Sequence, residues 1–271
     1  MRNQPLSNEE IQRIAPSAFA GQPYREMSSR YAFVPTSAVI DGMRQAGFLP
    51  VSASQSVARN SDKQNFTKHM IRFRSVNANL TKVGDSDLET VLINSHDGTS
   101  RYKLMLGVFR LVCENGLVIS ESLVQSISIR HVGDIVNEVI GHSLSLIDEA
   151  PKVSSVINQW RQIELQPKEQ LFLAEAAHDV RYPEKDSTLA RAITPEVLLK
   201  ARRYDDNGND LWSTFNRIQE NTVRGGQKAF VRNGFRTSRR TSREVNGIDQ
   251  NVNLNKALWS LAEKMAALKA N

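Results

Sequence analysis

Hydrophobic and polar positions change rhythm near residue 130. Before it, short runs approach a period of two. Residues 67–74, TKHMIRFR, alternate most clearly: His69, Ile71 and Phe73 fall on one face, Lys68, Met70, Arg72 and Arg74 on the other. Residues 48–58, 88–94 and 102–113 are the other strand candidates. Two turn signals fall among them. Asp97-Gly98 separates the third run from the fourth, and Asn115-Gly116 follows the fourth as a two-residue hairpin signal. A short helix, 35–48, precedes the strands, with Thr36 or Ser37 as cap and Gly47 as its end.

After residue 130 the apolar positions recur at spacings of three, four and seven. Ile135, Val139, His142, Leu146, Val153, Val156, Trp160 and Ile163 predict one long helix or two helices meeting near Pro151. Pro167 opens a helix over 167–181, and Thr194-Pro195 a further one over 194–203. Helices over 210–223, capped by Asp210, and 253–270 complete the series. Trp160, Trp212 and Trp259 lie on apolar stripes and read as core. Strands followed by helices predict an α+β fold: an N-terminal antiparallel β-meander with a short helix, then a mostly helical C-terminal half. The expected division is an irregular leader over 1–30, a sheet region over 31–130 and a helical region over 131–271, the last two folding as one compact unit.

Composition adds little until charge is placed along the chain. The 271 residues carry a net charge of +6. From Arg217 to Arg243 there are eight basic residues and one acid, Glu220, so the rest of the chain is close to neutral. A local basic segment points to a polyanionic partner more strongly than a high isoelectric point does. Within 224–243, read as a glycine-punctuated loop, Arg224, Lys228, Arg232, Arg236, Arg239, Arg240 and Arg243 alternate with Phe230 and Phe235. Arginine forks bond phosphate in pairs, and phenylalanine stacks on unpaired bases. The competing reading is a solvated loop whose arginines pair with Asp205, Asp206 and Asp210. Lys68, Arg72 and Arg74 form a second positive stripe, either an extension of the track or the charge that protects an edge strand.

Other candidates are weaker. His96-Asp97 could serve as an acid–base pair or as metal ligands with His69 or Glu89, although the same residues suit a tight turn. The single cysteine, Cys113, reads as a small apolar residue next to Glu114. One cysteine excludes an internal disulfide, and the chain lacks a nucleotide-binding glycine loop, an apolar leader and a membrane-length apolar run. These features suit a reducing cytoplasm and call for no metal or cofactor.

INSHDGTSRYKLMLGVFRLVCENGL, LWSTFNRIQEN, RGG and LNKALW together resemble the YfjQ/YafZ-like family of plasmid- and prophage-encoded proteins, over about 30–268. That resemblance implies a mobile-element setting and assigns no catalytic residue. The order of elements also resembles phage single-strand annealing proteins, which implies single-stranded DNA binding in a basic groove and assembly into homo-oligomers. The expectation is therefore a non-enzymatic protein that binds single-stranded DNA. The alternatives are a metal-dependent nuclease using His96 and Asp97, and a protein-binding module that regulates a host factor.

Overall fold

Residues 69–75 show why the first half becomes a sheet. His69, Ile71 and Phe73 are buried while Met70, Arg72 and Arg74 are half-buried, the alternation expected of a strand with one face on a core. In this computed structural model, which describes residues 4–25, 33–76, 82–83, 86–110, 116–118, 123–183, 192–233 and 236–270, the strand is β2 (His69–Ser75). It lies between β1 (Phe48–Gln55) and β4 (Ser86–Asn94), and β4 pairs in turn with β5 (Tyr102–Arg110), all antiparallel. The short strands β6 (Gly116–Val118) and β7 (Ile127–Ile129) both pair with the outer side of β5, and β3 (Lys82–Val83) pairs with β4. Central β4 is buried along its whole length. β1 has a register shift between Pro50 and Ser52, which suits a strand carrying a residue without an N–H. Its Pro50 carbonyl accepts from Leu6 N at 2.8 Å.

Two sequence expectations are corrected here. The leader is not wholly irregular: Ser7 and Glu10 form a reciprocal capping box that starts α1 (Asn8–Ile14), and a 3-10 turn follows over Pro16–Phe19. Gly116, expected in a two-residue turn, stands instead in β6 opposite Phe109. A tight turn there would have set Glu114 opposite Leu117. Cys113, Glu114 and Asn115 lie outside the described residues. The Asp97-Gly98 turn is present. Asp97 Oδ1 accepts from Thr99 N at 3.0 Å, and Gly98 has φ +79°.

The helix α2 (Thr36–Gln45) is preceded by Pro35 and stops at Gly47, whose φ is +82°. Thr36 is its first residue rather than its cap, and its hydroxyl turns inward. α3 (Ile135–Asp148) packs on α2 where Gly42 leaves room: a Cβ there would stand 2.6 Å from Val136 Cγ1. The chain divides into two units, 1–152 and 153–271, so α3 belongs with the sheet. The helical run breaks at Glu149, ahead of Pro151, giving α3 and α4 (Ala150–Trp160).

The second unit is built around α6 (Leu211–Arg224), which buries nearly every residue and is capped by Asp210. Trp160, Trp212, Phe215 and Trp259 meet in one aromatic cluster, with the Trp160 and Trp259 ring centres 4.5 Å apart. α5 (Pro167–Arg181) and α7 (Ile248–Ala270) flank α6. The helix expected over 194–203 is only a 3-10 turn, Pro195–Leu199, and Thr194 does not cap it. The amide of Asn221 bonds the Leu198 and Lys200 carbonyls, so neither bonds within a continuing helix. Among the described residues no helix is long and apolar enough to cross a membrane.

Candidate nucleic-acid interface

The basic segment is a β-hairpin rather than a loop. β8 (Lys228–Asn233) and β9 (Arg236–Thr241) pair antiparallel, Lys228 opposite Thr241 and Asn233 opposite Arg236. Gly225 and Gly226 sit ahead of β8 and not within it. Gly225 has φ +63°, and a Cβ on it would meet the Arg243 carbonyl oxygen at 2.6 Å. The two roots of the hairpin therefore pass close only because residue 225 has no side chain. Gly226 N donates to Ser242 O at 2.9 Å and Ser242 N to Gln227 O at 2.9 Å. Arg181 Nη2 donates to Arg243 O at 2.9 Å, and Arg202 Nη2 to Gly225 O. The hairpin is thus held in one pose at its base.

Alternation sorts the hairpin side chains. Ala229 and Val231 are 3% exposed, whereas Phe230 between them is 73% exposed. Arg239 stands opposite Phe230, so the two share the open face with Lys228. Arg240 and Arg243 are exposed as well. Among the described residues Lys228, Arg239, Arg240 and Arg243 make no ion pair. Arg224 differs: its Nη1 donates to Glu220 Oε1 at 3.0 Å. Arg232 stands opposite Thr237 in the register, and Phe235 lies outside the described residues. Of the acids considered as partners for these arginines, Asp210 is engaged within its own turn. Asp210 caps α6, and Arg217 bonds the Asp206 backbone carbonyl.

The second stripe is built differently. Arg72 Nε donates to Glu89 Oε2 at 2.8 Å, and Arg74 Nη2 to Glu89 Oε1 at 2.6 Å, with Asp87 Oδ2 a further 3.0 Å contact. The Arg72 guanidinium also lies 3.8 Å from the centre of the Phe109 ring. Both charges are thus met within the sheet by acids on β4. Lys68 is half-buried just ahead of β2.

His96 and Asp97 do not converge. Asp97 serves the turn, and hydrogen bonds from Thr99 lower its pKa against the opposing effect of burial. His96 is fully buried, and its Nε2 lies 3.1 Å from Thr36 Oγ1. His69 Nε2 (2.9 Å) and the Asn94 amide (3.1 Å) reach the same hydroxyl, and the Tyr102 hydroxyl is 3.3 Å away. A threonine hydroxyl has one proton and two acceptor positions. One arrangement places every proton: Asn94 and His96 donate to Thr36, Thr36 donates to His69 Nε2, and Tyr102 donates to Val34 O at 2.9 Å. His69 Nδ1–H then faces Thr67 O at 3.2 Å and Ser17 Oγ at 2.9 Å. His96 Nδ1 and Asn94 Oδ1 remain as acceptors without donors. Burial pushes His69 down to about 4, partly opposed by the Thr67 carbonyl. Burial, then His69 and His131, push His96 down to about 3. This is a neutral, structural cluster. Among the described residues no three His, Cys, Asp or Glu side chains are grouped to hold a metal ion.

Reading the sequence missed Arg181, Arg202 and Arg203, and the role of Glu220 as their neighbour. Arg203 Nη2 donates to Glu220 Oε1 at 2.9 Å, beside Arg224. The signal lies in Lys200-Ala201-Arg202-Arg203, at the end of the stretch whose pattern predicts a helix over 194–203.

The fold and the hairpin define a two-unit α+β protein with a basic ribbon whose Lys228, Arg239 and Arg240 make no ion pair among the described residues. The chain belongs to the family described as Domain of unknown function (DUF932), whose pattern matches residues 23–259. It is similar to two proteins of Escherichia coli strain K12, UPF0380 protein YfjQ and UPF0380 protein YafZ. Each is 38% identical over 264 residues, covering 97% of this chain and 93% of the relative. No solved structure matches.

Proposed function

We propose that this is a non-enzymatic nucleic-acid-binding protein that holds single-stranded DNA along the β8–β9 hairpin. The observation that carries the reading is Phe230, 73% exposed between Lys228 and Arg239 on a hairpin whose exposed cations lack ion-pair partners among the described residues. An exposed aromatic flanked by cations is what a stacked base and its neighbouring phosphates require. Lys228, Arg239, Arg240 and Arg243 are the phosphate contacts, joined by Arg232 and Arg236 at their places in the register. Arg72 and Arg74 are left out, because Glu89 and Asp87 meet their charge. Action in the DNA metabolism of a mobile element, with annealing of complementary strands as an outcome, is part of the same proposal.

The test is fluorescence anisotropy with labelled single-stranded and duplex oligonucleotides, without metal, at several salt concentrations. Four to seven neutralised phosphates give a slope of log affinity against log salt of roughly −3 to −5 on single strands. A flat response, or no binding at low salt, overturns the reading and leaves an acidic protein surface as the hairpin's partner. Tighter binding to duplex would move the hairpin from base stacking to groove contact, since a two-stranded ribbon also fits a major groove.

A further inference from the structure

Tyr204 is 90% exposed, the most open of the large hydrophobic side chains among the described residues. A single exposed aromatic is ordinary on a protein surface. This one differs in how firmly its backbone is held. It opens a 3-10 turn, Tyr204–Asp206, that α6 pins on both sides. Ahead of the turn, the Asn221 amide bonds the Leu198 and Lys200 carbonyls at 2.9 and 2.8 Å, and Arg202 Nε donates to Asn221 Oδ1 at 2.7 Å. Behind it, Arg217 Nη1 donates to the Asp206 and Gly208 carbonyls at 2.5 and 2.7 Å. Asn207 N closes the turn onto Tyr204 O at 3.1 Å. The ring thus meets solvent from a fixed turn, and little ordering of the chain is needed for a base to stack on it.

The same pins bring Tyr204 to the hairpin. Arg202 also donates from Nη2 to Gly225 O, where the chain enters β8. Two residues of chain reach at most about 7 Å, so Tyr204 follows closely on a residue bonded to the hairpin root. Phe230 stands further out on β8, about 17 Å beyond Gly225 at about 3.3 Å per residue. Lys200 is exposed on the pinned segment and makes no ion pair among the described residues. Asp205 is exposed directly after Tyr204. Its charge repels a phosphate there, so the group suited to this ring is a base rather than the backbone.

We infer that Tyr204 is a second stacking platform for the single strand, taking a base at the foot of the hairpin while Phe230 takes one on β8. The inference rests on the nucleic-acid reading above for the strand, and on the exposure and anchoring of Tyr204 for the added contact.

The experiment places an indole at each platform in turn. Tyr204→Trp and Phe230→Trp are titrated separately with an oligothymidylate of about 16 nucleotides, the upper end of single-strand site sizes. The native Trp160, Trp212 and Trp259 are buried, so the unaltered protein supplies the background. The expected result is quenching of the added emission in both variants at the same midpoint. By anisotropy, Tyr204→Ala should bind about tenfold more weakly with an unchanged salt slope, and Tyr204→Phe should bind as the unaltered protein does. Far-UV circular dichroism establishes that each variant folds. No quenching of Tyr204→Trp, or full affinity in Tyr204→Ala, overturns the inference. If Phe230→Trp is quenched all the same, the hairpin reading stands. If anisotropy detects no binding by the unaltered protein, that reading fails and the second platform falls with it.

Discussion

The sheet and the hairpin both carry arginines on alternating strand positions, yet they treat the charge in opposite ways. On β2, Arg72 and Arg74 lean across to Glu89 and Asp87 on the next strand. On β8–β9, Lys228, Arg239 and Arg240 have no acid facing them among the described residues, and the cross-strand neighbours of Lys228 and Arg239 are Thr241 and Phe230. Alternation of basic residues is therefore not in itself a binding surface. The acids on the neighbouring strand decide whether a basic stripe is spent on the fold or left over for a partner.

The sharpest way to break this comparison is to remove the uncompensated charge. Lys228→Ala, Arg239→Ala and Arg240→Ala combined should lower affinity for single-stranded DNA by about a hundredfold or more at low salt. They should also flatten the salt slope by about 2. Unfolding by urea should barely change, since these side chains are exposed. The mirror experiment is Glu89→Ala, which strips two sheet arginines of their main partner. It should cost about 3–5 kcal/mol of stability, read from urea unfolding followed by far-UV circular dichroism. A loss under 1 kcal/mol would mean that the sheet pairs are not integral to the fold.

Acid tests the sheet unit by another route. His69 and His96 have folded pKa values of about 4 and about 3, below the ordinary 6.5. Between those values the unfolded chain binds protons that the folded chain refuses. Stability is therefore full above pH 6.5 and falls as pH drops from 6.5 towards 3. Urea midpoints measured across that window check it, and a flat profile above pH 4 would contradict the burial of His69. Phe230→Ala is smaller, a loss of about 1–3 kcal/mol in binding with the salt slope unchanged, because stacking releases no counterions. Thr36→Val is the mildest. It should cost about 1–2 kcal/mol of stability and leave DNA binding alone.

Strand β2 was legible because its burial is one-sided. His69, Ile71 and Phe73 alternate with charged or flexible neighbours, and a period of two needs nothing beyond the sequence to be seen. The hairpin was concealed for a related reason. Its buried positions are Ala229 and Val231, while its bulkiest hydrophobic residue, Phe230, points outward. The residue that matters most to the proposed function is the one that scrambled the pattern. The helix expected over 194–203 failed because Asn221, some twenty positions later, captures its carbonyls, which no local window reveals. Thr36 looked like a cap because helix starts favour threonine. Only the fold brings two histidines from β2 and the 95–101 turn to its hydroxyl. The basic residues themselves were readable, but which of them have partners was not, because Glu89 and Glu220 are neighbours in space rather than in sequence.

The aromatic cluster of the second unit has a practical consequence. All three tryptophans of the chain, Trp160, Trp212 and Trp259, lie in residues 153–271 and pack within one cluster. Intrinsic tryptophan emission is therefore a private signal of that unit. A loosening confined to the sheet unit would leave that light unchanged. An emission curve that lags the circular dichroism curve would resolve the two halves of this molecule in a single cuvette, with no label attached to either.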